Sequence, residues 1–523
     1  MRAALLGAAA LAASFAAAQA SELVDAVRAD DDAAAIALIE SGADVNAMTP
    51  DGATALHWAA YQDDVEMARR LIRAGADASV ANDYGSTPLS EAAVAADAEM
   101  IALLLDAGAD PNETNADGQT ALMLVARTDR TEAARALIRA GADVNAAEQW
   151  RGQTALMWAA HDQRPAMTEL LLEAGADPNA RSFVNDWKRQ TTIESRAQYR
   201  PSGGLTPLLY AAREGCLDCA RALVEYGADV DLPDPDEIAP LLMAIDNLHF
   251  DVAQFLLEAG ADPQKWDRRG RTPLYVAVDV NTLPNGGRPD LPSMDETTAM
   301  DIARALLAMG VEIDPQLKLR APYRNVGADR GGDITLTIGV TPLYRAAKAF
   351  DLEATALLLE HGADPNMPQV GGITPTMVAA GQGSFDSDTR GAYDTADVQK
   401  RSIATLELLI AAGGDVNRTM YDNRRHVVIE PSLQPRQGQT AAHGAAIWGW
   451  GEVIRYLAEN GADLTITDTA GKTVLDAALG RAGGNGRGGT SITPHPETGA
   501  LIETLLAQDT ASAEDPTRTA SAQ

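Results

Sequence analysis

Cysteine is almost absent from this sequence of 523 residues, which holds only Cys216 and Cys219. A chain of this size with a single cysteine pair is not held together by a disulfide network. Aromatic residues make up 5% of the sequence, whereas hydrophobic residues make up 46%. That balance excludes wholesale disorder and favours closely packed helices rich in alanine and leucine.

Lysine is also scarce, with 6 residues against 36 arginines. We interpret this bias as the mark of a GC-rich bacterial genome. Acidic residues outnumber basic ones by 74 to 42, which gives a net charge of −32. Such a surface repels nucleic acid and anionic lipid, so we expect neither as a partner.

Long apolar runs are missing after the first twenty residues, so we expect no membrane span in the mature chain. Arg2 begins a short positive segment, an apolar stretch follows, and Ala18-Gln19-Ala20 forms an A-x-A cleavage signal. We therefore predict a signal peptide over residues 1–20 and export, either to a bacterial periplasm or by secretion. The alternative is an uncleaved N-terminal membrane anchor, for which the apolar stretch is short.

Two short markers recur along the chain at a period of about 33 residues. The first is Gly-Ala-Asp or a close variant, which begins at Gly42, Gly75, Gly108, Gly141, Gly175, Gly227, Gly260, Gly310, Gly362, Gly413 and Gly461. The second is Thr-Pro/Ala-Leu followed by paired small residues, which begins at Thr54, Thr87, Thr120, Thr154, Thr206, Ala239, Thr272, Thr341, Thr374, Thr440 and Thr473. Threonine and proline favour a helix start, and glycine favours a helix end. Each period therefore predicts two helices and a turn.

The combined pattern, D-x-x-G-x-T-P-L-H-x-A-A and then L-L-x-x-G-A-D-x-N, resembles the ankyrin repeat. The resemblance covers nearly the whole chain after residue 20. It implies an all-α solenoid of about twelve helix-turn-helix repeats, with β-turn fingers between them. It also implies protein binding without catalysis and without a cofactor. A degenerate first repeat is expected to begin at Ser21, because the normal spacing of 21 residues leads back to it from Gly42.

The repeat is regular in the first half of the chain and interrupted in the second. We predict regular repeats 1–5 over residues 21–180, a long finger insertion over 181–205, and repeats 6–12 over 206–507. Further insertions are expected near 282–298, 315–340, 383–400, 418–439 and 480–497. The polar segment 508–523 is expected to be disordered.

The three insertions that lengthen a finger are basic, although the chain as a whole is acidic. Residues 180–205, 315–340 and 418–439 carry net charges of +3, +2 and +2. Their arginine, lysine and aromatic residues belong to types that recognise partners or anions, and we take them as candidate partner-binding residues. These are Trp187, Lys188, Arg189, Arg196, Tyr199, Arg200, Arg320, Tyr323, Arg324, Tyr421, Arg424 and Arg425. We hypothesise that these residues line a groove. One alternative is that the insertions arose by sequence drift and have no function. Another is that the basic fingers fold back onto the acidic surface of the same chain.

Cys216 and Cys219 form a C-x-x-C at the expected start of the second helix of repeat 6. We favour a local disulfide, with free thiols and a redox pair as alternatives. A second cysteine pair that would complete a zinc site is missing, so we expect no metal. His57 and His443 occupy the repeat's own Thr-Pro-Leu-His position, where we expect a structural hydrogen bond.

These observations favour an exported scaffold that binds another protein, periplasmic or secreted. The expected surfaces are the concave face of the array and the basic-aromatic fingers. The alternative is a receptor for an anionic small molecule or a glycan at the same fingers. An enzyme assembled within the insertions is the third interpretation, and no paired catalytic groups support it.

Overall fold

The computed structural model describes residues 22–185, 202–282, 293–319, 335–382, 395–421, 437–482 and 493–513. The chain divides into two compact units, residues 1–243 with 258–261, and residues 244–257 with 262–523. The described residues of both units form short helices that follow one another in pairs. This arrangement confirms the predicted all-α repeat fold.

Six helix pairs belong to the first unit, and a seventh pair spans the division between the units. The first unit contains α1 (22–28), α2 (Asp32–Glu40), α3 (Ala55–Tyr61), α4 (Val65–Arg73), α5 (Pro88–Ala95), α6 (Ala98–Asp106), α7 (Ala121–Val125), α8 (Thr131–Arg139), α9 (Ala155–His161), α10 (Pro165–Glu173), α11 (Pro207–Glu214) and α12 (Leu217–Glu225). The seventh pair is α13 (Pro240–Asp246) and α14 (Phe250–Glu258).

Five helix pairs belong to the second unit. They are α15 (Pro273–Asn281) and α16 (Ala299–Ala308), α17 (Pro342–Ala349) and α18 (Leu352–Glu360), α19 (Pro375–Ala379) and α20 (Thr395–Ala411), α21 (Ala441–Ile447) and α22 (Gly451–Glu459), and α23 (Val474–Ala478) and α24 (Pro496–Ala513).

Local side-chain chemistry fixes where the helices of each pair begin and end. The Thr87 hydroxyl accepts a hydrogen bond from the Ser90 backbone N–H at the start of α5, and Pro88 follows as the first helical residue. The Asp64 carboxylate accepts from the Met67 N–H at the start of α4. After α4, Gly75 takes a φ of +97°, a conformation that costs glycine little.

Small residues let neighbouring pairs pack closely within each unit. In the first unit α3 packs against α5, and α6 against α8, while Ala59 and Ala60 are fully buried. In the second unit α17 packs against α19, α19 against α21, and α18 against α20, around buried Leu343 and Leu358. Each unit thus buries a continuous core that one helix pair alone could not form.

The two histidines of the repeat motif make the expected structural hydrogen bonds. His57 Nδ1 accepts from the Thr54 backbone N–H at 3.1 Å, and its Nε2 lies 3.0 Å from the Ser86 carbonyl oxygen of the next finger. His443 repeats this arrangement with Thr440 and Lys472. Both imidazoles are buried, and this burial lowers their pKa.

Asparagines of the fingers connect successive repeats. Asn46 donates from Nδ2 to the Gly75 carbonyl oxygen at 3.0 Å, and its Oδ1 accepts from the Asp77 N–H at 2.8 Å. The same pair of bonds is made by Asn112, Asn145, Asn179, Asn366 and Asn417. From the sequence alone, these residues are expected only to begin a turn.

Two helices of the second unit extend past three of the predicted boundaries. α20 begins at Thr395, inside the insertion expected over 383–400, because residues 395–401 contain neither glycine nor proline and Ser402, Leu406 and Leu409 bury one face. α24 runs from Pro496 to Ala513 and therefore enters both the insertion expected over 480–497 and the tail expected to be disordered from residue 508. The helix continues there because adding residues to an existing helix is easier than starting one.

A small strand pair supplements the helices at the base of the first finger insertion. β1 (Val184–Asn185) and β2 (Ser202–Gly203) are antiparallel, with Val184 opposite Gly203 and Asn185 opposite Ser202. Residues 186–201 between them lie outside the described residues. Within the described ranges, no helix combines the length and apolar character needed to cross a membrane.

Candidate functional site

The structure describes one of the predicted partner-binding residues, Tyr421. Its side chain is 42% exposed at the start of the third finger insertion. Its backbone packs against the turn at Gly372 of the preceding finger. The other predicted residues lie outside the described ranges: Trp187, Lys188, Arg189, Arg196, Tyr199, Arg200, Arg320, Tyr323, Arg324, Arg424 and Arg425.

The bases of the three finger insertions are hydrogen-bonded between their two arms. The first base is the β1–β2 pair. At the second, the Leu317 N–H donates to the Val340 carbonyl oxygen at 3.0 Å. At the third, the Met420 N–H donates to the Gln439 carbonyl oxygen at 2.9 Å. Each insertion therefore leaves the repeat stack from a paired and ordered base.

Hydrogen bonds also join neighbouring fingers within each unit. In the first unit the Asp83 N–H donates to the Asp51 carbonyl oxygen at 2.9 Å, and the Phe183 N–H donates to the Arg151 carbonyl oxygen at 2.6 Å. In the second unit the Thr469 N–H donates to the Gln437 carbonyl oxygen at 2.9 Å. These bonds hold the fingers at fixed spacing before any partner arrives.

The fingers carry many of the exposed large apolar side chains found among the described residues. In the first unit these are Met48, Tyr84, Trp150, Phe183 and Val184, and Trp150 is 71% exposed. In the second unit they are Trp266, Leu319 and Tyr421. Exposed aromatic side chains on a rigid framework are typical of binding surfaces.

One pair of fingers in the second unit borders an open cavity of about 230 Å³, which we call the basic cavity. The finger before α15 supplies one wall, formed by Pro263, Gln264, Trp266, Gly270, Thr272 and Leu274. The finger after α16 supplies the other wall, formed by Val311, Glu312, Pro315, Gln316 and Lys318. The Lys318 Nζ lies 2.9 Å from the ring centroid of Trp266, a cation–π contact at the rim.

A buried ion pair shapes the first wall of the basic cavity. Arg271 Nε lies 2.7 Å from Asp267 Oδ2, and both side chains are 2% exposed. Asp267 Oδ1 also accepts hydrogen bonds from the N–H groups of Arg269 and Arg271. The second wall is held against the first because the Lys318 N–H donates to the Arg269 carbonyl oxygen at 2.8 Å. This hydrogen bond connects the two walls of the cavity.

The first unit has a second candidate site, partly buried, at the ends of its inner helices, the first helix of each pair; Tyr210 in it is buried. The guanidinium carbon of Arg127 lies 4.8 Å from the centroid of Trp158, and that of Arg213 lies 4.9 Å from the centroid of Tyr210. His161 stands between the two aromatic rings, with centroid distances of 6.0 and 5.9 Å. We call these five residues the inner-helix row.

Ion pairs fix the side chains of this row. Arg127 Nε lies 2.8 Å from Asp162 Oδ2, and His161 Nδ1 lies 2.5 Å from Asp162 Oδ1. Burial raises the pKa of Asp162, but the hydrogen bonds from Arg127 and His161, together with the charge of Arg127, outweigh it and lower the pKa. The carboxylate therefore stays ionised and keeps its two partners in place.

The sulfur atoms of Cys216 and Cys219 lie at bonding distance, with their Cα atoms 5.2 Å apart. Cys216 is the residue before α12, so the pair stands at the predicted helix start. Cys219 is fully buried and Cys216 nearly so. This environment is that of a structural pair, and the oxidised state remains a prediction.

An acidic cluster lies at the start of the first unit. Asp30, Asp32 and Asp64 bring carboxylate oxygens within 4.8 Å of one another, and they are the one such group among the described residues. Their side chains are exposed or half-buried. Clusters of this kind are ordinary on an acidic surface, and we assign this one no ligand.

Neither the basic cavity nor the inner-helix row is among the sites predicted from the sequence. A signal for the first was present, because residues 262–272 hold four basic residues and two acids without any insertion. A signal for the second was the position four residues after the marker threonine. It is Trp58, Trp158 or Tyr210 in some repeats and Glu91 or Leu124 in others.

Comparison with protein-family models gives matches in both halves of the chain. A model described as ankyrin repeats in three copies matches residues 23–115 and 94–182. A model of ankyrin repeats in many copies matches residues 208–257, and a single-repeat model matches residues 339–369. The paired helices, the capped starts and the hydrogen-bonded fingers agree with these matches. The chain belongs to the ankyrin-repeat family.

Proposed function

We propose that this protein is an exported scaffold that binds another protein through the fingers and inner helices of its repeats. Ankyrin repeats generally mediate protein–protein interaction, which gives the coarse function. The finer assignment depends on one observation: exposed aromatic side chains stand on fingers that are already hydrogen-bonded to one another. The proposal includes no catalytic step.

Preorganisation is the physical argument for binding at the fingers. Ordering a loop and its side chains during association opposes binding, and a rigid loop avoids that cost. Trp150 and Tyr84 add large contact areas with few rotatable bonds. The inner-helix row offers Trp158 and Arg127, two residue types that dominate binding energies at interfaces.

Photocrosslinking tests this proposal directly. A photoreactive phenylalanine analogue at Tyr84 or Trp150 is expected to crosslink the full chain to another protein in cells that make it naturally. The same analogue at Glu132, an exposed residue of α8, serves as the control. Equal crosslinking from α8 and from the fingers would contradict the proposed surface.

Export is proposed from the sequence of residues 1–20, and it has a separate test. We expect the chain recovered from the periplasm or the medium to begin at Ser21, which N-terminal sequencing measures. A membrane-bound chain that retains Arg2 would favour the anchor instead.

A further inference from the structure

We propose that the tips of the first five fingers bind an extended segment of a partner protein that is basic at one end and apolar at the other. This inference rests on the proposed protein-binding function and adds the chemistry of the partner. It is carried by a row of exposed side chains in the first unit, by the contacts that hold this row and by the charges along it.

One position of the finger turn carries an acidic and an aromatic residue in alternation. In four successive fingers, whose tips are residues 48–53, 81–86, 114–119 and 147–152, it is Asp51, Tyr84, Asp117 and Trp150. We call these four residues the tip row. All four side chains are exposed, and the two aromatic ones are 69% and 71% exposed. Covering such rings with a partner removes a large apolar area from water, which favours binding.

A polar side chain two residues earlier holds the backbone of the tip-row residue. Asn82 Oδ1 accepts a hydrogen bond from the Tyr84 N–H at 3.0 Å. Glu148 Oε2 accepts from the Trp150 N–H at 2.6 Å, and Asn115 makes the same kind of bond in the third finger. The tip-row backbone is therefore fixed by each finger itself.

The tips of successive fingers also touch one another. The Asp83 N–H donates to the Asp51 carbonyl oxygen at 2.9 Å. A Cβ added at Gly85 would lie 3.1 Å from the Ala116 backbone nitrogen, and one added at Gly118 would lie 2.9 Å from the backbone of the fourth finger. The tip row is thus one continuous edge rather than four separate loops.

The first three tips are acidic and contain no basic residue. Asp51, Asp83 and Asp117 are exposed, and in the described part of the first unit none of them forms an ion pair. The hydrogen bond from Thr49 lowers the pKa of Asp51 most, and the charge of Arg28 lowers it least. These carboxylates remain available to cations of a partner.

Arginine is the residue that suits this end of the row best. Its guanidinium can bind a carboxylate through two hydrogen bonds and can also lie over an aromatic face. Tyr84 stands between Asp51 and Asp117 in the row, so both kinds of contact are offered side by side.

The fourth and fifth tips form an apolar end. Arg151 follows Trp150 and is exposed, so a second cation is disfavoured there. The Phe183 N–H donates to the Arg151 carbonyl oxygen at 2.6 Å, and a Cβ added at Gly152 would lie 2.5 Å from Phe183 Cδ1. Phe183 is 51% exposed. Trp150 and Phe183 therefore offer neighbouring rings to an apolar side chain.

The spacing of the fingers indicates how the basic residues of the partner are arranged. Packed helices lie about 8–10 Å apart, so equivalent tips are about 10 Å apart. A polyproline II segment advances about 3.1 Å per residue and repeats its face every third residue, which gives about 9 Å. Arginine or lysine at every third position would thus meet successive tips.

The experiment is selection of a display library of random peptides of about 15 residues on the full chain, followed by affinity measurement. We expect at least two Arg or Lys residues three positions apart, with a Leu, Phe or Trp toward one end. The triple variant Asp51→Asn, Asp83→Asn and Asp117→Asn should bind these peptides at least about tenfold more weakly, because several exposed charge pairs are lost together. Trp150→Ala should weaken them at least about tenfold.

A matched triple variant separates the tips from the general acidity of the chain. Glu40→Gln, Asp106→Asn and Glu173→Gln change the net charge by the same amount at exposed last residues of α2, α6 and α10. We expect this variant to bind the peptides less than about threefold more weakly, because ions screen charges beyond about 8 Å at physiological ionic strength. Circular dichroism should show the same helix content for all three variants.

Four results would overturn the inference. A selection that returns no peptides, or peptides without basic enrichment, is the first. Equal affinity for the tip triple variant and the unchanged chain is the second, and equal weakening by both triple variants is the third. The fourth is full affinity for Trp150→Ala. If crosslinking from Tyr84 or Trp150 succeeds while the peptide experiment fails, only this inference is lost and the proposed function stands.

Discussion

At the scale of single residues, an aspartate takes the place of a bridging asparagine in one finger of the second unit. Asp314 stands at the position where six other fingers have asparagine, and its Oδ2 accepts from the Asp364 N–H at 2.9 Å. Its Oδ1 is buried without a hydrogen-bond partner. By correspondence with Asn46 and Gly75, this oxygen occupies the place from which an asparagine would donate to the Gly362 carbonyl oxygen.

Asp314→Asn is therefore expected to stabilise the second unit near neutral pH. Burial raises the pKa of Asp314, the hydrogen bond from Asp364 lowers it, and the charges of Asp364 and Glu312 raise it further. Because this pKa is raised in the folded state, the stabilisation that Asp314 provides is complete below its unfolded pKa and is lost as the pH rises. The substitution should add about 1 kcal/mol to the free energy of unfolding near pH 7, measured by urea denaturation.

The same substitution should lose its benefit in acid. Below about pH 4 the protonated carboxyl has its own donor for the glycine carbonyl. Asn417→Asp makes the reverse change at an intact bridge and is expected to destabilise the unit near neutral pH. A gain from Asp314→Asn that persists unchanged in acid would contradict this explanation.

The buried histidines have the opposite pH dependence. Burial lowers the pKa of His57 and His443, so their stabilisation is complete above the unfolded pKa of about 6.5 and is lost as the pH falls through the folded pKa. Each histidine should lower the free energy of unfolding by about 1.4 kcal/mol per pH unit as the pH falls from its unfolded pKa to its folded pKa. We expect the double variant His57→Gln with His443→Gln to show a smaller fall of the urea unfolding midpoint as the pH is lowered. An unchanged fall would refute the assignment of this pH dependence to the two histidines.

At the scale of elements, the finger turns are set by both conformation and contact. Gly372 has a φ of +80°, and a Cβ added there would lie 2.5 Å from the Tyr421 backbone nitrogen. Gly413 has a φ of +93°, with no atom within 4 Å of an added Cβ. Comparing the two glycines separates the cost of an unfavourable φ from the cost of a collision.

Gly413→Ala is expected to lower the free energy of unfolding by about 1 kcal/mol, the cost of a left-handed alanine. Gly372→Ala should cost more, because the backbone of the third finger must also move. Urea denaturation measures both variants. Equal losses would show that the contact with Tyr421 does not matter.

At the scale of the whole molecule, the insertions are separable from the framework that carries them. The first insertion leaves from the β1–β2 pair, and its base is hydrogen-bonded independently of residues 186–201. Replacing those residues with a short Gly-Asn turn should leave the circular dichroism spectrum and thermal midpoint nearly unchanged, because shortening a loop changes its closure entropy only slightly. A large fall in the thermal midpoint would show that this finger supports the repeats.

The Cys216–Cys219 pair should likewise affect the fold little. A bridge over three residues closes a very short loop, so it constrains the unfolded chain weakly. We expect the intact mass of the protein to rise by two hydrogens on reduction, with a small shift of the thermal midpoint. An unchanged mass would show free thiols.

The sequence by itself determined the repeat, the helix starts and the buried small residues. These features depend on capping and packing patterns only a few residues long, so threonine, proline and glycine at fixed spacing suffice to reveal them. The positions of His57 and His443 followed in the same way. The boundaries of α20 and α24 did not, because continuing a helix depends on packing as well as on local signals.

Only the tertiary structure decided which finger residues act together. Asn46 reaches a glycine 29 residues away, and the basic cavity joins Trp266 to Lys318 across an intervening helix pair. Such contacts depend on how successive repeats stack, and the sequence marker of one repeat does not specify its contacts with the next repeat. The basic insertions were visible from charge alone, whereas the cavity that includes residues of the second insertion arises from the stacking of two fingers.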